Sequence, residues 1–328
     1  MKIAFFSTNK FEKPYFDAMK EKHRIDYFDI PLNQQSAQLL DNHEAVCVFV
    51  NDEINQACVN ILKQKHIKMI LLRCTGYNNV DIKACHAAHI AVANVPQYSP
   101  HAVAEHALAL LLCLNRKIHK AYTRIKEGNF DLNGLQGFDL YQKTIGIIGV
   151  GAIGQVFAQI CHGLGCQILA YDPVKTDLPY IQWTDLNTLC QQSDIISLHC
   201  PLNDHTYHII NQQTLNLMKK NVILINTGRG ALIDSQALIK SLKQQNIAGV
   251  ALDVYELENN IFFQDHSLDI IQDDLLMRLT TFPNVLITSH QGFLTDEALH
   301  HIAQTTLNNL NQFVKNQYCQ NLISSQEV

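Results

Sequence analysis

Three polar residues that stand far apart in the chain could together carry out acid–base chemistry. Arg229 lies in NTGRGALID, Glu258 ends DVYELE, and His290 closes the strand-like run NVLITSH. A guanidinium can grip a carboxylate through two charge-assisted hydrogen bonds, and an imidazole can give a proton to a carbonyl oxygen near neutral pH. A neighbouring carboxylate fixes the tautomer of that imidazole. Beside a dinucleotide, this set predicts reversible hydride transfer to a keto acid.

A glycine-rich loop predicts the dinucleotide site. GVGAIG at 149–154 places Gly149, Gly151 and Gly154 in the G-x-G-x-x-G spacing. The first glycine permits a tight turn, the second lets the backbone approach a pyrophosphate, and the third allows close packing of helix on strand. The run KTIGIIGV precedes the loop and QILAYD follows its helix, so the context is a βαβ unit whose helix start can bind phosphate.

An acidic residue at the end of QILAYD favours one form of the cofactor. Asp172 can hold the ribose hydroxyls, and its charge would repel a 2′-phosphate. NAD is therefore expected rather than NADP, although Lys175 stands nearby as a cation that could receive such a phosphate.

The elements that must position these residues follow an α/β pattern. Short aliphatic runs alternate with amphipathic stretches along the chain, which is typical of parallel sheets covered by helices. Strands are predicted in a first series near 2–6, 24–28, 45–50, 67–72 and 90–95. A second series is predicted at TIGIIGV, QILAYD, DIISLHC, NVILINT, AGVALDVY and NVLITSH. The pattern indicates two α/β domains in succession.

Two helical patterns lie at the expected domain crossings. After Ser99 and Pro100, a plausible cap and first turn, the segment 103–114 is apolar on nearly every face, and Gly128 fits the stop. Such a helix is buried between domains or in a dimer interface, and the sequence leaves both open. The pattern from Thr295 to about Lys315 follows the last strand and could return to the first domain.

Composition excludes several functional classes. The chain has 328 residues, 17% of them charged, with a formal net charge of -5 and no long basic run, so a nucleic-acid partner is not expected. The apolar stretch 107–114 is too short to span a membrane, and the N-terminus lacks the features of a signal peptide. We expect a cytoplasmic protein. The ten cysteines form no C-x-x-C pair, so we expect buried free thiols and no metal site.

Taken together, these motifs resemble the D-isomer-specific 2-hydroxyacid dehydrogenases over essentially the whole chain. GVGAIG followed by Asp172, LHCPL with Thr206 downstream, NTGRGALID, DVYELE and SHQGFLT carry the resemblance. The run between DVYELE and His290 resembles the insertion of the D-lactate dehydrogenase branch. Two positions depart from the family pattern. Relatives often have serine or alanine at the position of Gly228, and some members of the lactate branch have tyrosine at the position of Phe293.

The resemblance implies a role for each matching residue. Arg229 would orient the substrate, His290 would be the general acid and base, and Glu258 rather than Glu256 would be its partner. The substrate would also meet Thr75 and Gly76 in RCTGYNNVD, and Tyr98 in NVPQYSP. The implied cofactor-binding set is Gly149, Gly151, Ala152, Ile153, Gly154, Asp172, Cys200, Pro201, Thr206, Thr227 and Asp253.

The expected architecture is two Rossmann/flavodoxin-like parallel-sheet domains with an active-site cleft between them. The substrate domain would comprise 1–98 and 295–328, and the NAD-binding domain 99–294. The expected reaction is NADH-dependent reduction of pyruvate to D-lactate by a homodimer or higher homo-oligomer. Two alternatives stay open: a bulkier 2-keto acid as substrate, and an NAD-sensing interaction protein similar to corepressor relatives.

Overall fold

The chain forms two compact units. A computed structural model describes residues 1–258 and 261–324. The first unit is Met1–Ser99 with Leu294–Val328, and the second is Pro100–Phe293. The chain passes between the two units at 99/100 and at 293/294, each one residue from the expected domain boundaries at 98/99 and 294/295.

The first unit is built on a five-stranded parallel sheet of order β2-β1-β3-β4-β5. This is the flavodoxin-like order, in which the chain passes from β1 to β2 at one edge and then crosses back to place β3 on the other side of β1. The middle strands β3 and β4 are buried at every position, as parallel strands covered on both faces must be. The strands are β1 (Lys2–Phe5), β2 (Arg24–Tyr27), β3 (Ala45–Val48), β4 (Met69–Leu72) and β5 (Ala91–Ala93). The helices are α1 (Lys13–Met19), α2 (Gln56–Gln64) and α3 (Ile82–Ala87), joined by α11 (Asp296–Asn316) from the end of the chain.

Helix α11 belongs to the first unit although it follows the second in sequence. The Thr295 side chain caps it by accepting from the Ala298 N–H at 3.2 Å. The helix packs against α1 and β4. Inside this contact the buried Asn309 amide donates to the carbonyl oxygen of Asn94 at 2.9 Å. The C-terminal helical pattern therefore does return to the N-terminal sheet.

The second unit holds a seven-stranded parallel sheet of order β12-β11-β10-β9-β6-β7-β8. Six of these strands fall in the predicted runs. The strands are β6 (Thr144–Ile148), β7 (Gln167–Tyr171), β8 (Ile181–Trp183), β9 (Ile195–Leu198), β10 (Ile223–Asn226), β11 (Gly249–Leu252) and β12 (Val285–Ile287). The helices are α4 (Pro100–Arg116), α5 (Ile118–Lys126), α6 (Ala152–Gly163), α7 (Leu186–Gln192), α8 (Gln212–Leu217), α9 (Ser235–Lys243) and α10 (Asp274–Thr280).

The helical segment before the glycine loop is two helices, where the sequence pattern predicted one that stops at Gly128. Helix α4 ends at Arg116 because Lys117 adopts a left-handed backbone conformation with φ of +51°. Helix α5 then runs to Lys126, and Gly128 follows its end with φ of +74°. The prediction of a continuous helix was therefore wrong, and Gly128 ends only the second piece.

The helices and the cysteines bear on two further expectations from the sequence. Over residues 1–258 and 261–324, no helix combines the length and the apolar character that crossing a bilayer requires. All ten cysteines are free thiols, nine of them buried and Cys113 half-buried, which confirms the expected free thiols.

Candidate active site

The glycine-rich loop has the three properties that its spacing predicted. Gly149 has φ of +93°, which a side chain rarely adopts, and a Cβ there would lie 2.3 Å from the Cys200 amide nitrogen. A Cβ on Gly154 would lie 2.1 Å from the Gly149 carbonyl oxygen, so helix and loop pack without room for a side chain. A Cβ on Gly151 would meet no atom within 4 Å. The loop is therefore closed behind the first and third glycines and open over the second.

The open side of the loop presents helix amides and a carboxylate. Helix α6 starts after Gly151 with no side-chain cap, and Ala152 is exposed while Ile153 is half-buried. Uncapped N–H groups at a helix start attract phosphate. Asp172 at the end of β7 accepts from the Val150 N–H at 2.7 Å and from the Val174 N–H at 2.8 Å. The same carboxylate thus ties β7 to the glycine loop.

The segments after β9 and β10 add two more features to this edge. Thr206 closes the turn after β9, since its hydroxyl donates to the Pro201 carbonyl at 2.6 Å and accepts from the Asn203 N–H at 2.8 Å. Burial raises the pKa of the Cys200 thiol to about 11, which keeps it neutral. The Thr227 hydroxyl is buried and has no hydrogen-bond partner within the described chain. That orphaned group, together with the open space over Gly151, fits a bound dinucleotide.

Arg229 stands in a loop shaped by one asparagine at the end of β10. The Asn226 side chain donates to the Arg229 carbonyl at 2.8 Å and accepts from the Gly228 N–H at 3.0 Å. The guanidinium is half-buried and donates to the Gly228 carbonyl at 2.9 Å. Throughout residues 1–258 and 261–324, no carboxylate forms an ion pair with it. Arg229 therefore keeps a positive charge that a substrate carboxylate can match.

The Arg229 loop lies directly against the segment that carries Glu258. A Cβ on Gly230 would stand 2.0 Å from the Tyr255 carbonyl carbon and 2.3 Å from the Glu256 nitrogen. Only a glycine allows this approach of two backbones. The loops after β10 and β11 are thereby packed as one surface.

Glu258 and His290 form the expected pair. His290 Nδ1 lies 2.6 Å from Glu258 Oε1, and the other carboxylate oxygen accepts from the Tyr255 N–H at 2.7 Å. Both side chains are mostly buried, with 17% and 14% of their surface exposed. Because Nδ1 faces the carboxylate, Nε2 is the ring nitrogen that can carry a proton to a substrate.

Asp253 holds the loop that carries His290. Its carboxylate accepts from the backbone N–H groups of Gln291 at 2.9 Å and Gly292 at 2.8 Å. It also accepts from the Thr288 hydroxyl at 2.5 Å and from His106 at 3.2 Å. Burial alone would raise the pKa of Asp253, but the hydrogen bonds from His106 and Thr288 outweigh it and hold the pKa below its ordinary value. Contact of Asp253 with the cofactor remains a prediction.

Two further contacts at this edge were missed by the sequence argument. Glu256 has a histidine of its own, His208, at 2.6 Å, and it also accepts from the Ser235 N–H. Phe263, in the segment after Glu258, places its ring centroid 5.9 Å from that of His290. The contact of His106 with Asp253 was also not predicted, and its one signal in the sequence is a polar residue inside an otherwise apolar helix. The contacts of His208 and Phe263 have no such signal.

The remaining expected substrate residues belong to the first unit. Thr75 donates to the Val95 carbonyl at 2.9 Å and its own carbonyl accepts from Asn94 at 2.7 Å. The Gly76 carbonyl accepts from the Cys74 thiol at 3.2 Å, and Tyr98 is half-buried. The loop after β4 is thus fixed against the chain that follows β5.

Comparison with known proteins agrees with this geometry. Residues 108–292 match the family described as D-isomer specific 2-hydroxyacid dehydrogenase, NAD binding domain. The 2-hydroxyacid dehydrogenase A of Aspergillus oryzae is 48% identical over 98% of this chain and 94% of that protein. The D-lactate dehydrogenase of Escherichia coli is 45% identical over 98% of this chain and 99% of that protein. The apo-structure of the E. coli enzyme covers 99% of this chain and 100% of its own, with a TM-score of 0.90 and 43% identity.

Proposed function

Since the chain belongs to the D-isomer-specific 2-hydroxyacid dehydrogenase family and is an NAD-dependent oxidoreductase, we propose that it reduces pyruvate to D-lactate. The observation that carries the proposal is the 2.6 Å contact between His290 and Glu258, next to an Arg229 that has no ion pair among the described residues. That arrangement provides a proton donor and a free cation at one sheet edge. The D-lactate dehydrogenase relative supports pyruvate as the keto acid.

Each residue then has a distinct task in the reduction. The nicotinamide, when bound, supplies the hydride. Arg229 binds the substrate carboxylate and so fixes the orientation of the keto group. His290 gives its proton from Nε2 to the carbonyl oxygen. Glu258 holds the ring through Nδ1 and stabilises the charged imidazolium, while Asp253 keeps the backbone of the loop in place.

Substrate contacts from the first unit are part of the same proposal. The backbone around Thr75 and Gly76 would offer N–H groups to the carboxylate, and Tyr98 would contact the substrate. Hydrogen bonds join Thr75 to Val95 and to Asn94, so the backbone at Thr75 is already fixed against the segment that leads to Tyr98. Pre-ordered donors lose little entropy when they bind.

The proposed cofactor preference is NADH over NADPH. Asp172 presents a carboxylate at the end of β7, where the ribose of a dinucleotide lies in βαβ folds. The hydrogen bonds from Val150 and Val174 fix that carboxylate in position. A 2′-phosphate there would meet a negative charge.

We also propose that the protein is a homodimer. Helix α5 buries no residue, yet Ile118, Tyr122 and Ile125 lie on one of its faces and are exposed by 54%, 61% and 57%. Large apolar side chains that cluster on one exposed face mark a protein contact. Light scattering on the purified protein should give twice the chain mass of 37.1 kDa, and Tyr122→Lys should shift it towards the monomer.

The reaction is tested by NADH oxidation with pyruvate, hydroxypyruvate, 2-ketoisocaproate and phenylpyruvate, with NADPH in parallel and chiral analysis of the product. Preference for pyruvate with NADH, yielding D-lactate, is the expected result. A higher kcat/KM for a larger acid would keep the chemistry and replace the substrate. Absence of turnover with all four acids, despite NADH binding, would favour the sensing role. His290→Asn should lower kcat by a factor on the order of 10²–10⁴.

A further inference from the structure

A cavity opens at the edge of the seven-stranded sheet opposite the proposed active site. Its volume is about 680 Å³, within the range of small-molecule pockets. Ile223, Gly249 and Asn284 line it where β10, β11 and β12 begin. Arg229, Glu258 and His290 follow the other ends of the same three parallel strands. The cavity is therefore distinct from the proposed active site.

The wall of this cavity is positively charged. Lys117, His119 and Lys120 line it, and no carboxylate belongs to its lining among the described residues. The ammonium groups of Lys117 and Lys120 donate to the carbonyls of Gln136 and Pro283, which also line the cavity. A carbonyl orients an ammonium group without neutralising it. Each lysine therefore keeps its positive charge at the wall and has further N–H groups that can bind a ligand.

The positive charges at the wall repel one another. Burial, with the neighbouring Lys117 and Arg124 cations, lowers the pKa of Lys120 below its ordinary value. Burial and the Lys120 cation likewise lower the pKa of His119. Neither lysine forms an ion pair within residues 1–258 and 261–324. A bound anion would relieve this repulsion.

The wall is also built rigidly. Asn115 donates to the Phe138 carbonyl at 2.7 Å and accepts from the Phe138 N–H at 3.0 Å. A Cβ on Gly137 would lie 2.6 Å from the Asn115 carbonyl oxygen, so these two segments are in close contact. Lys117, which follows Asn115 by two residues, keeps a left-handed backbone with φ of +51° that the surrounding contacts must stabilise.

We propose that this cavity binds a small anion of two or more negative charges, a phosphate ester or a di- or tricarboxylate, through Lys117, His119 and Lys120. Two ammonium groups and an imidazole in the lining of a preformed space suit a ligand that presents several anionic oxygens. The site requires nothing from the catalytic residues. A bound anion would stabilise the amino-terminal edge of the sheet, and the catalytic residues lie at the opposite edge.

The test is isothermal titration of pyrophosphate, and separately of citrate, into the full-length protein saturated with NADH, at constant ionic strength. Saturation with NADH keeps pyrophosphate off the glycine loop. The double variant K117N/K120Q removes the two charges, and asparagine tolerates the left-handed backbone at position 117. Lys126→Gln is the matched control, since Lys126 is an exposed lysine of the same helix outside the cavity.

The expected result is binding of at least one anion by the unmodified protein and by Lys126→Gln, weakened at least tenfold in K117N/K120Q. Binding of pyrophosphate alone would identify the phosphate class, and binding of citrate alone the carboxylate class. No binding of either anion, or an equal loss in Lys126→Gln, would overturn the proposal. If the double variant is unfolded by circular dichroism, Lys120→Gln and Lys120→Arg replace it, with loss expected only in the former.

Discussion

Gly230 and Tyr255 touch through their main chains, with room for no side-chain carbon between them. A Cβ at position 230 would lie 2.0 Å from the Tyr255 carbonyl carbon and 2.1 Å from its oxygen. Backbone atoms on both sides cannot rotate away as a long side chain can. The position of Arg229 relative to Glu258 is therefore set by this contact.

Gly230→Ala should reduce activity without changing any polar group of the site. The methyl group must push the Arg229 loop away from residues 255–256, and a displacement near 1 Å can cost on the order of 10² in rate. Steady-state kinetics with pyruvate should show a lower kcat/KM, while NADH binding is kept. Gly163→Ala is the control, because a Cβ there meets nothing within 4 Å. Equal activity of the two variants would contradict the assigned packing role.

Glu258→Gln and Glu256→Gln should differ sharply, although the two residues are neighbours in DVYELE. Both carboxylates contact a histidine at 2.6 Å, but only Glu258 contacts His290. The neutral amide no longer stabilises the protonated imidazole of His290, so kcat should fall roughly tenfold or more. Glu256→Gln should keep kcat within about twofold, since His208 transfers no proton in the proposed mechanism. A larger loss in Glu256→Gln would reverse the assignment of the partner.

Asp253→Asn should destabilise the protein in a manner that depends on pH. The carboxylate has a folded-state pKa below its ordinary value, so it contributes stability above that ordinary value and loses it as the pH falls through the folded pKa. At pH 7 the loss of charged acceptors should cost about 1.5–3 kcal/mol. The difference in unfolding free energy should narrow below about pH 4, the ordinary range for aspartate.

Urea unfolding at pH 7 and at about pH 3.5 measures this difference, where 3.5 lies just below the ordinary aspartate pKa. Asp269→Asn is a suitable control, because that carboxylate is 64% exposed and pairs with the ring of His266. Exposed pairs of this kind contribute little. If the difference in unfolding free energy between the unmodified protein and Asp253→Asn stays constant across the pH range, Asp253 acts through packing and not through its charge.

Asp172→Asn should weaken the preference for NADH. The asparagine oxygen can still accept from the Val150 N–H, so the glycine loop should keep its shape. A charge-assisted hydrogen bond is worth ~1.5–3 kcal/mol, hence the KM for NADH should rise on the order of tenfold. Turnover with NADPH should rise relative to NADH. Asp177→Asn, an exposed acid in the same loop, should leave both cofactors unaffected.

Much of the fold could be predicted because buried parallel strands are short, continuous apolar runs. Strand β8 escaped because Ile181–Trp183 is only three residues long at the sheet edge, with just Ile181 buried. The break at Lys117 escaped for another reason. Lysine is neither a helix breaker nor a preferred left-handed residue, so its conformation is imposed by the packing around it.

The site was predictable to the extent that strand ends bring polar residues to one edge. The glycine spacing likewise anticipated which glycine is open and which are packed. What sequence could not supply is the pairing of residues distant in the chain, such as His106 with Asp253. Four donors converge on that carboxylate from two segments, and nothing in the sequence specifies their order.

The backbone bonds between Asp253 and His290 give the enzyme a modular construction. The His290 N–H donates to the Asp253 carbonyl at 2.7 Å, and the Thr288 N–H donates to the Leu252 carbonyl at 2.9 Å. These bonds hold the backbone at Thr288 and His290 directly against the end of β11. The position of His290 is therefore set by the sheet and not by the long segment that separates His290 from Glu258. Replacements within that segment are therefore expected to leave the proton donor where it is.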